Sequence, residues 1–200
     1  LLSQVKPGEQ GTVQVVIPIV SKGSNSPSLA ITLKGTASSR SEEDVSTTIS
    51  KQWSVKGSAT LSGRTAYTNS PFVNSGPIPP VANTATTYTV HLSVSAQNAL
   101  ADTKVSFTLP VYVQWRSVVT DGSNVTYSSK TRTVTWNIGA IQAEKTVAVD
   151  IGLSVKPSLS HVNQMPTITS GIVLDADEEI SRNHIRSTIS PLTTFISGET

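Results

Sequence analysis

The sequence predicts an all-β fold, built as tandem β-sandwiches of which the first is incomplete. Three observations predict it. No segment shows a sustained helical period. Period-two runs bounded by Gly, Pro, Asn and Ser recur along the whole chain. The chain also matches itself. Val13-Gln14-Val15-Val16-Ile17-Pro18-Ile19 returns as Val147-Ala148-Val149-Asp150-Ile151-Gly152-Leu153, each after a polar turn. Ile31-Thr32-Leu33 matches Ile172-Val173-Leu174, and Thr48-Ile49-Ser50 matches Thr188-Ile189-Ser190. A self-match at so long a period marks tandem domains. Residues 1–60 then form the C-terminal part of one module and residues 61–200 a complete one, so the chain is expected to open partway through a unit.

The elements follow in order. Gly11 to Val20 reads as a strand with Val13, Val15, Ile17 and Ile19 on one face, and Pro18 on the other face suits an edge or a bulge. Leu29 to Thr36 is the next strand, with Leu29, Ile31 and Leu33 inward. From Val45 the alternation runs through Ile49, Trp53, Val55, Ala59 and Leu61 to Tyr67, which predicts a strand passing directly from the first unit into the second. Asn74-Ser75-Gly76-Pro77-Ile78-Pro79-Pro80 is rigid punctuation, since proline fixes its own backbone angle and extends the residue before it. Thr86 to Ala96 follows, with Tyr88, Val90, Leu92 and Val94 inward. Then come Lys104 to Leu109 and Val111 to Val119. Asp121-Gly122 is a hairpin-type turn signal. Asn124 to Ser128 and Thr131 to Ile138 form the arms of another hairpin. Thr146 to Val155, Thr169 to Leu174 and His184 to Ile196 complete the set. Seven or more short strands over about 120 residues fit an immunoglobulin-like sandwich, with a barrel or jelly roll as the alternative. Trp115 and Trp136 are its expected core aromatics.

Composition narrows the function. Charged residues make up 14% of the 200 residues, against roughly 25% in ordinary soluble domains. Net charge is only +2 with no basic block, so nucleic-acid binding has little electrostatic support. There is no cysteine, which removes disulfides, thiolate metal sites and cysteine nucleophiles. No apolar run approaches the roughly 18 residues that span a bilayer.

A pattern over residues 76–194 adds to this. Gly-Pro-Ile-Pro-Pro at 76–80 is followed by Thr-Thr-Tyr-Thr-Val at 86–90 and Leu-Pro-Val-Tyr-Val-Gln-Trp at 109–115. Val125-Thr126-Tyr127, Val134-Thr135-Trp136-Asn137-Ile138-Gly139 and Pro191-Leu192-Thr193-Thr194 complete it. It resembles the conserved-repeat, Ig-like modules of large bacterial cell-surface proteins, in particular those of ultra-small, small-genome bacteria. The first 60 residues resemble the closing third of such a module. Two turns depart from the pattern: Glu178-Glu179 replaces a Thr-Gly pair, and Ala143-Glu144 replaces a Pro-Gly turn. The resemblance implies an extracellular β-sandwich used as a spacer, stalk or fibre segment, and it brings no catalytic residues.

Candidate chemistry is sparse. Asp175, Asp177 and Glu178, with Glu179 beside them, are candidate calcium ligands, because a hard cation takes several carboxylate oxygens. The competing reading is a solvated acidic turn that discourages edge-to-edge sheet pairing, and the spacing and glycine of an EF-hand are missing. No other cofactor is expected. The three histidines, His91, His161 and His184, lie on separate segments without zinc-ligand spacing. No Gly-x-Ser-x-Gly elbow presents a nucleophile, and an enzyme is not expected. An amide crosslink between Lys104 or Lys145 and Asn137 or Asp150 is the weaker explanation of those residues, which suit a surface and its turns. Asn124-Val125-Thr126 is a glycosylation sequon beside a turn.

The expected function is a structural, extracellular repeat segment of a bacterial surface protein or filament. Its expected partners are copies of itself or neighbouring modules. Val13, Val15, Ile17 and Ile19 are the expected assembly face, open to strands from elsewhere in the manner of β-strand complementation. The alternative is an adhesin-type module that recognises a glycan or host surface through loops, and Tyr67, Phe72 and Tyr112 are its aromatic candidates on loops expected to be short.

Overall fold

A computed structural model describes residues 28–38, 44–54, 58–179 and 181–196. Among these residues are eleven strands and one short 3₁₀ turn, Leu159–His161. Among the described residues, the first two strands, β1 (Ser28–Ser38) and β2 (Asp44–Ser54), pair with each other and with no other strand. Their antiparallel register sets Leu29 opposite Trp53, Leu33 opposite Ile49 and Ala37 opposite Val45. Ile49 of β2 is 65% exposed.

The remaining strands form a two-sheet sandwich. One sheet has the order β3-β4-β9-β6, with β3 (Ala59–Ala66), β4 (Thr86–Ala96), β6 (Val113–Val119) and β9 (Lys145–Val155). The other has the order β11-β10-β5-β8-β7, with β5 (Leu100–Thr108), β7 (Val125–Ser128), β8 (Thr133–Ile141), β10 (Ile172–Glu178) and β11 (His184–Ile189). All pairings are antiparallel. Period-two alternation puts one face of each strand inward. Tyr88, Val90, Leu92 and Val94 of β4 face Val105 and Phe107 of β5, Trp136 of β8, and Ile172 and Leu174 of β10 across one continuous buried core. β9 adds Val149, Ile151, Leu153 and Val155, all fully buried. Each such side chain contributes about 1.5–3 kcal/mol relative to exposure.

The all-β sandwich architecture agrees with expectation, and so do the inward residues of β4. Of the single run expected from Val45 to Tyr67, β2 covers Asp44–Ser54 in one sheet and β3 covers Ala59–Ala66 in another, and residues 55–57, which would join them, lie outside the described residues. Two details differ. Asp121-Gly122 is a turn, but not that of a hairpin: it carries the chain from β6 in one sheet to β7 in the other. Turn chemistry specifies a reversal and leaves open which sheet receives the next strand. Trp136 is a core residue, whereas Trp115 is half-buried and stacks on Tyr127 at a ring distance of 5.7 Å. A bulge between Trp115 and Val118, where Ser117 has φ +58°, interrupts the inward alternation of β6. Val13, Val15, Ile17 and Ile19 lie outside the described residues.

Candidate functional site

Strand register sorts the loops onto two poles. Ala59, Ala96 and Lys145 share one end of their sheet, while Ala66, Thr86, Val113 and Val155 share the other. At the first end the connections are tight: β4 passes to β5 through residues 97–99, and β8 to β9 through residues 142–144. The chain reaches the sandwich at this incoming pole, where the Gln97 N–H donates to the Ser58 carbonyl over 3.1 Å. The long segments 67–85 and 156–171, the short connection 109–112 and the closing residues 190–196 gather at the opposite, outgoing pole. The expectation of short loops is therefore wrong for this pole. Segments that begin and end in adjacent strands can be long without changing the strand pattern, so alternation does not report their length.

The long loops are tied down. Tyr67 donates its hydroxyl to the Gly76 carbonyl (2.8 Å), and Asn74 Nδ2 donates to the Tyr67 carbonyl (2.9 Å). Gly76 has φ +105°, a backbone conformation open to glycine and strained for other residues. The Asn83 N–H donates to the Pro157 carbonyl over 2.7 Å, which links the two long segments. Tyr112 donates to the Thr167 carbonyl (3.0 Å) and packs its ring 4.4 Å from that of His161. The closing residues are held by Thr65 Oγ1 donating to the Thr193 carbonyl (2.8 Å) and by the Thr194 N–H donating to the Pro166 carbonyl (3.0 Å). Arg132 braces the 109–113 connection. Its guanidinium donates to the carbonyls of Leu109, Pro110 and Val113.

These loops enclose an open groove of about 860 Å³. Ile78, Pro79 and Val81 line it from the 67–85 segment, Val162 and Met165 from the 156–171 segment, and Phe195 from the closing residues. Among the described residues, no Asp, Glu, Lys or Arg lines it. Met165 is 66% and Phe195 59% exposed. Its polar groups are neutral, among them Thr68, Asn163 and Gln164. His161 also lines the groove, and its Nδ1 accepts hydrogen bonds from the Ser158 N–H (3.3 Å) and the Ser158 hydroxyl (2.9 Å). That pairing caps the 3₁₀ turn, as a side chain three residues on does for a helix start. Volume and lining match those of binding clefts, which are mostly apolar with a few polar groups. Of the aromatic candidates, Tyr67 lines the groove, Tyr112 supports it through His161, and Phe72 lies half-buried within the 67–85 segment. Met165, Val162 and Phe195 were missed. Their signal was three apolar residues, Leu159, Val162 and Met165, spaced between Pro157 and Pro166 in a stretch without strand alternation.

The acidic candidates do not converge. Asp175, Asp177 and Glu178 belong to strand β10, not to a turn. Asp175 and Asp177 share its outer face, where His184 bonds to Asp177 (2.8 Å) and to Asp175 (3.3 Å), and Arg186 pairs with Asp175 (3.4 Å). Glu178 points the other way and is fully buried, accepting from Asn98 Nδ2 (2.6 Å) and from the Ser181 hydroxyl. Strand alternation thus splits the three carboxylates between two faces. Among the described residues, no group of three or more His, Cys, Asp or Glu side chains is placed to hold a metal ion. The hydrogen bond to Asp177, aided by Asp175, raises the imidazole pKa of the exposed His184 above its ordinary value. His91 lies on the outer face of the other sheet, bonded to Asp150 at 2.8 Å. Lys104 neighbours Asn137 across the β5–β8 pair, but both are exposed on the outer face, and Lys145 is exposed at the incoming pole.

No helix among the described residues is long and apolar enough to cross a membrane. No family model and no curated protein matches the chain. Solved structures do resemble it. The RrgA Jo.In complex overlaps 66% of this chain and 76% of its own at a TM-score of 0.43 and 11% identity. A putative membrane-anchored protein from Corynebacterium diphtheriae overlaps 88% of this chain at 0.40 and 11% identity. A GH20 exo-β-N-acetylglucosaminidase from Vibrio harveyi overlaps 69% at 0.38 and 9% identity. The chain spans only 46% and 18% of the last two proteins.

Proposed function

We propose that the chain is a structural, extracellular repeat segment of a bacterial surface protein or filament, acting as a spacer, stalk or fibre. Residues 1–60 are the closing part of one Ig-like module and residues 61–200 a second. The observation that carries this is the path of the chain. It reaches the sandwich at Ser58 on one pole and runs out through Thr194 and Phe195 on the other, which suits modules strung end to end. The self-match supports the same reading, since modules in arrays stabilise one another through their neighbours. Head-to-tail assembly by strand complementation is the mode we favour, because the β1–β2 sheet pairs with nothing else among the described residues. Protease shaving of intact cells tests the location: release of peptides from residues 58–196 is expected, and full protection in intact cells with cleavage only after lysis would refute it. A second reading, an adhesin-type module, is favoured by the open groove on the loop-bearing pole, where binding residues concentrate. A glycan array probed with the full chain tests it, and a single specific glycan displaced by substitution of Tyr67 would support it.

A further inference from the structure

Exposed apolar side chains are segregated to one end of the sandwich. Among the described residues, eight of the nine large hydrophobic side chains left exposed come from segments 67–85, 109–112, 156–171 and 190–196 at the outgoing pole. The ninth is Ile49 of β2. Those four segments carry Lys156 and His161 and no Asp, Glu or Arg. The short β7–β8 turn adds Lys130 and Arg132 at the same end, and the Arg132 guanidinium is turned onto the carbonyls of Leu109, Pro110 and Val113. The incoming pole is the reverse. Its connections hold Glu144, Glu179 and Arg182 and, among the described residues, expose no large hydrophobic side chain. Single exposed hydrophobes are ordinary, but several gathered at one pole mark a contact surface. We propose that the outgoing pole is a self-association surface, on which a second copy of this chain docks with its own outgoing pole about a two-fold axis.

Polarity selects this partner. A two-fold contact sets a patch against its own image, and an apolar patch with its few cations at the margin opposes no like charges at its centre. A head-to-tail contact would instead lay Glu144, Glu179 and Arg182 on apolar side chains, and a desolvated ion without a partner is costly. Shape points the same way. Ile78, Val162, Met165 and Phe195 line the groove, whereas Val111 and Leu159, 83% and 71% exposed, lie outside its lining at the same pole. Concave and exposed apolar groups on one surface let two copies engage reciprocally, Leu159 of each entering the groove of the other. Eight such side chains, at roughly 100 Å² apiece, approach the ~800 Å² per partner of a standard interface.

The passage from one module to the next does not call for this surface. In the first unit, the stretch between the segments that match β9 and β10 reads Ser21-Lys22-Gly23-Ser24-Asn25-Ser26-Pro27. It has no Leu, Val, Ile or Met, where the second unit has Leu159, Val162 and Met165. The apolar cap is therefore particular to the second module. Self-association through it goes beyond the spacer role and does not depend on that role.

Pulsed electron paramagnetic resonance and sedimentation velocity of the full chain test the proposal. The chain has no cysteine, so Ser190→Cys and Gln142→Cys each place a single spin label, at the outgoing and the incoming pole. Ser190 labels should lie far closer together than Gln142 labels. Two sandwiches set pole to pole hold the latter about 70 Å or more apart, as the 11 residues of β4 alone span ~36 Å. Sedimentation should show a concentration-dependent dimer. Leu159→Glu, and Met165→Glu combined with Phe195→Glu, should each raise its dissociation constant at least about tenfold. Circular dichroism checks that the sandwich is intact in each variant. Added salt should tighten the pair, because it screens the cations at the margin. A wild type that stays monomeric would overturn the proposal. So would Gln142 labels as close as Ser190 labels, a dimer unmoved by the pole substitutions, or a dimer that weakens with salt. A groove filled by a glycan or an acyl chain in a protein that remains monomeric would also overturn it. None of these outcomes bears on the cell-surface location, which protease shaving decides.

Discussion

Gly76 is the position where a single methyl group should do the most damage to the groove-bearing pole. Its φ is +105°, and a Cβ built on it would lie 2.5 Å from the Ala85 carbonyl oxygen and 2.7 Å from Thr86 Cα. Both are backbone atoms, so no side-chain rotation relieves the contact. Thr86 opens β4, is fully buried, and donates its hydroxyl to the Pro77 carbonyl at 3.1 Å. Gly76→Ala therefore combines two costs. Backbone strain at positive φ is about 1–3 kcal/mol. Moving Thr86 also weakens at least one hydrogen bond, at about 1 kcal/mol. The expected loss is about 2–4 kcal/mol. In urea, with a slope of roughly 2 kcal/mol/M, the midpoint should fall by about 1–2 M at an unchanged slope. Gly122→Ala is the control: its φ is +77°, yet nothing lies within 4 Å of the added carbon, so only strain remains. Tryptophan fluorescence follows both transitions. If Gly76→Ala destabilises no more than Gly122→Ala, the close approach of the 85–86 backbone is not what requires glycine, and the reasoning fails.

Three further outcomes are expected. Arg132→Lys keeps the charge but loses the planar fork that reaches three carbonyls, and should cost about 1–2 kcal/mol in thermal unfolding, with Arg132→Ala costing more. Burial, with the neighbouring Tyr67 adding to it, pushes the Tyr88 phenol up to about 12. One of the four tyrosines should therefore resist ionisation in an ultraviolet titration. A folded pKa above the unfolded 10.0 gives stability that is present below pH 10 and lost as pH rises toward 12. Among the described residues the buried Tyr88 hydroxyl has no hydrogen-bond partner, so Tyr88→Phe should be neutral or stabilising and should remove that pH dependence. By nuclear magnetic resonance the His184 imidazole should titrate above 6.5, and Asp177→Asn should lower it. Its raised folded pKa means any stabilisation is present at pH below 6.5 and fades as pH rises through the folded value, and an unchanged pKa in Asp177→Asn would remove the pair as its cause.

The amino-acid sequence alone specified the all-β class and the inward face of β4. These follow from period-two alternation and from the cost of burying polar groups, both local properties of the chain. Tertiary structure decided what alternation cannot express. Asp175, Asp177 and Glu178 are adjacent in sequence, yet the pleat sends Glu178 into the core and leaves the two aspartates on the surface with His184. Asp121-Gly122 signalled a reversal, and only sheet pairing showed that the chain crosses the sandwich there. The groove was the least legible feature. Ile78, Val162, Met165 and Phe195 come from three separate stretches of sequence, and it is the shared ends of β3, β4, β9 and β11 that bring those stretches to one pole. Strand periodicity dictates which side chains point inward along each strand, while the placement of aperiodic loops over a pole depends on where distant strands end.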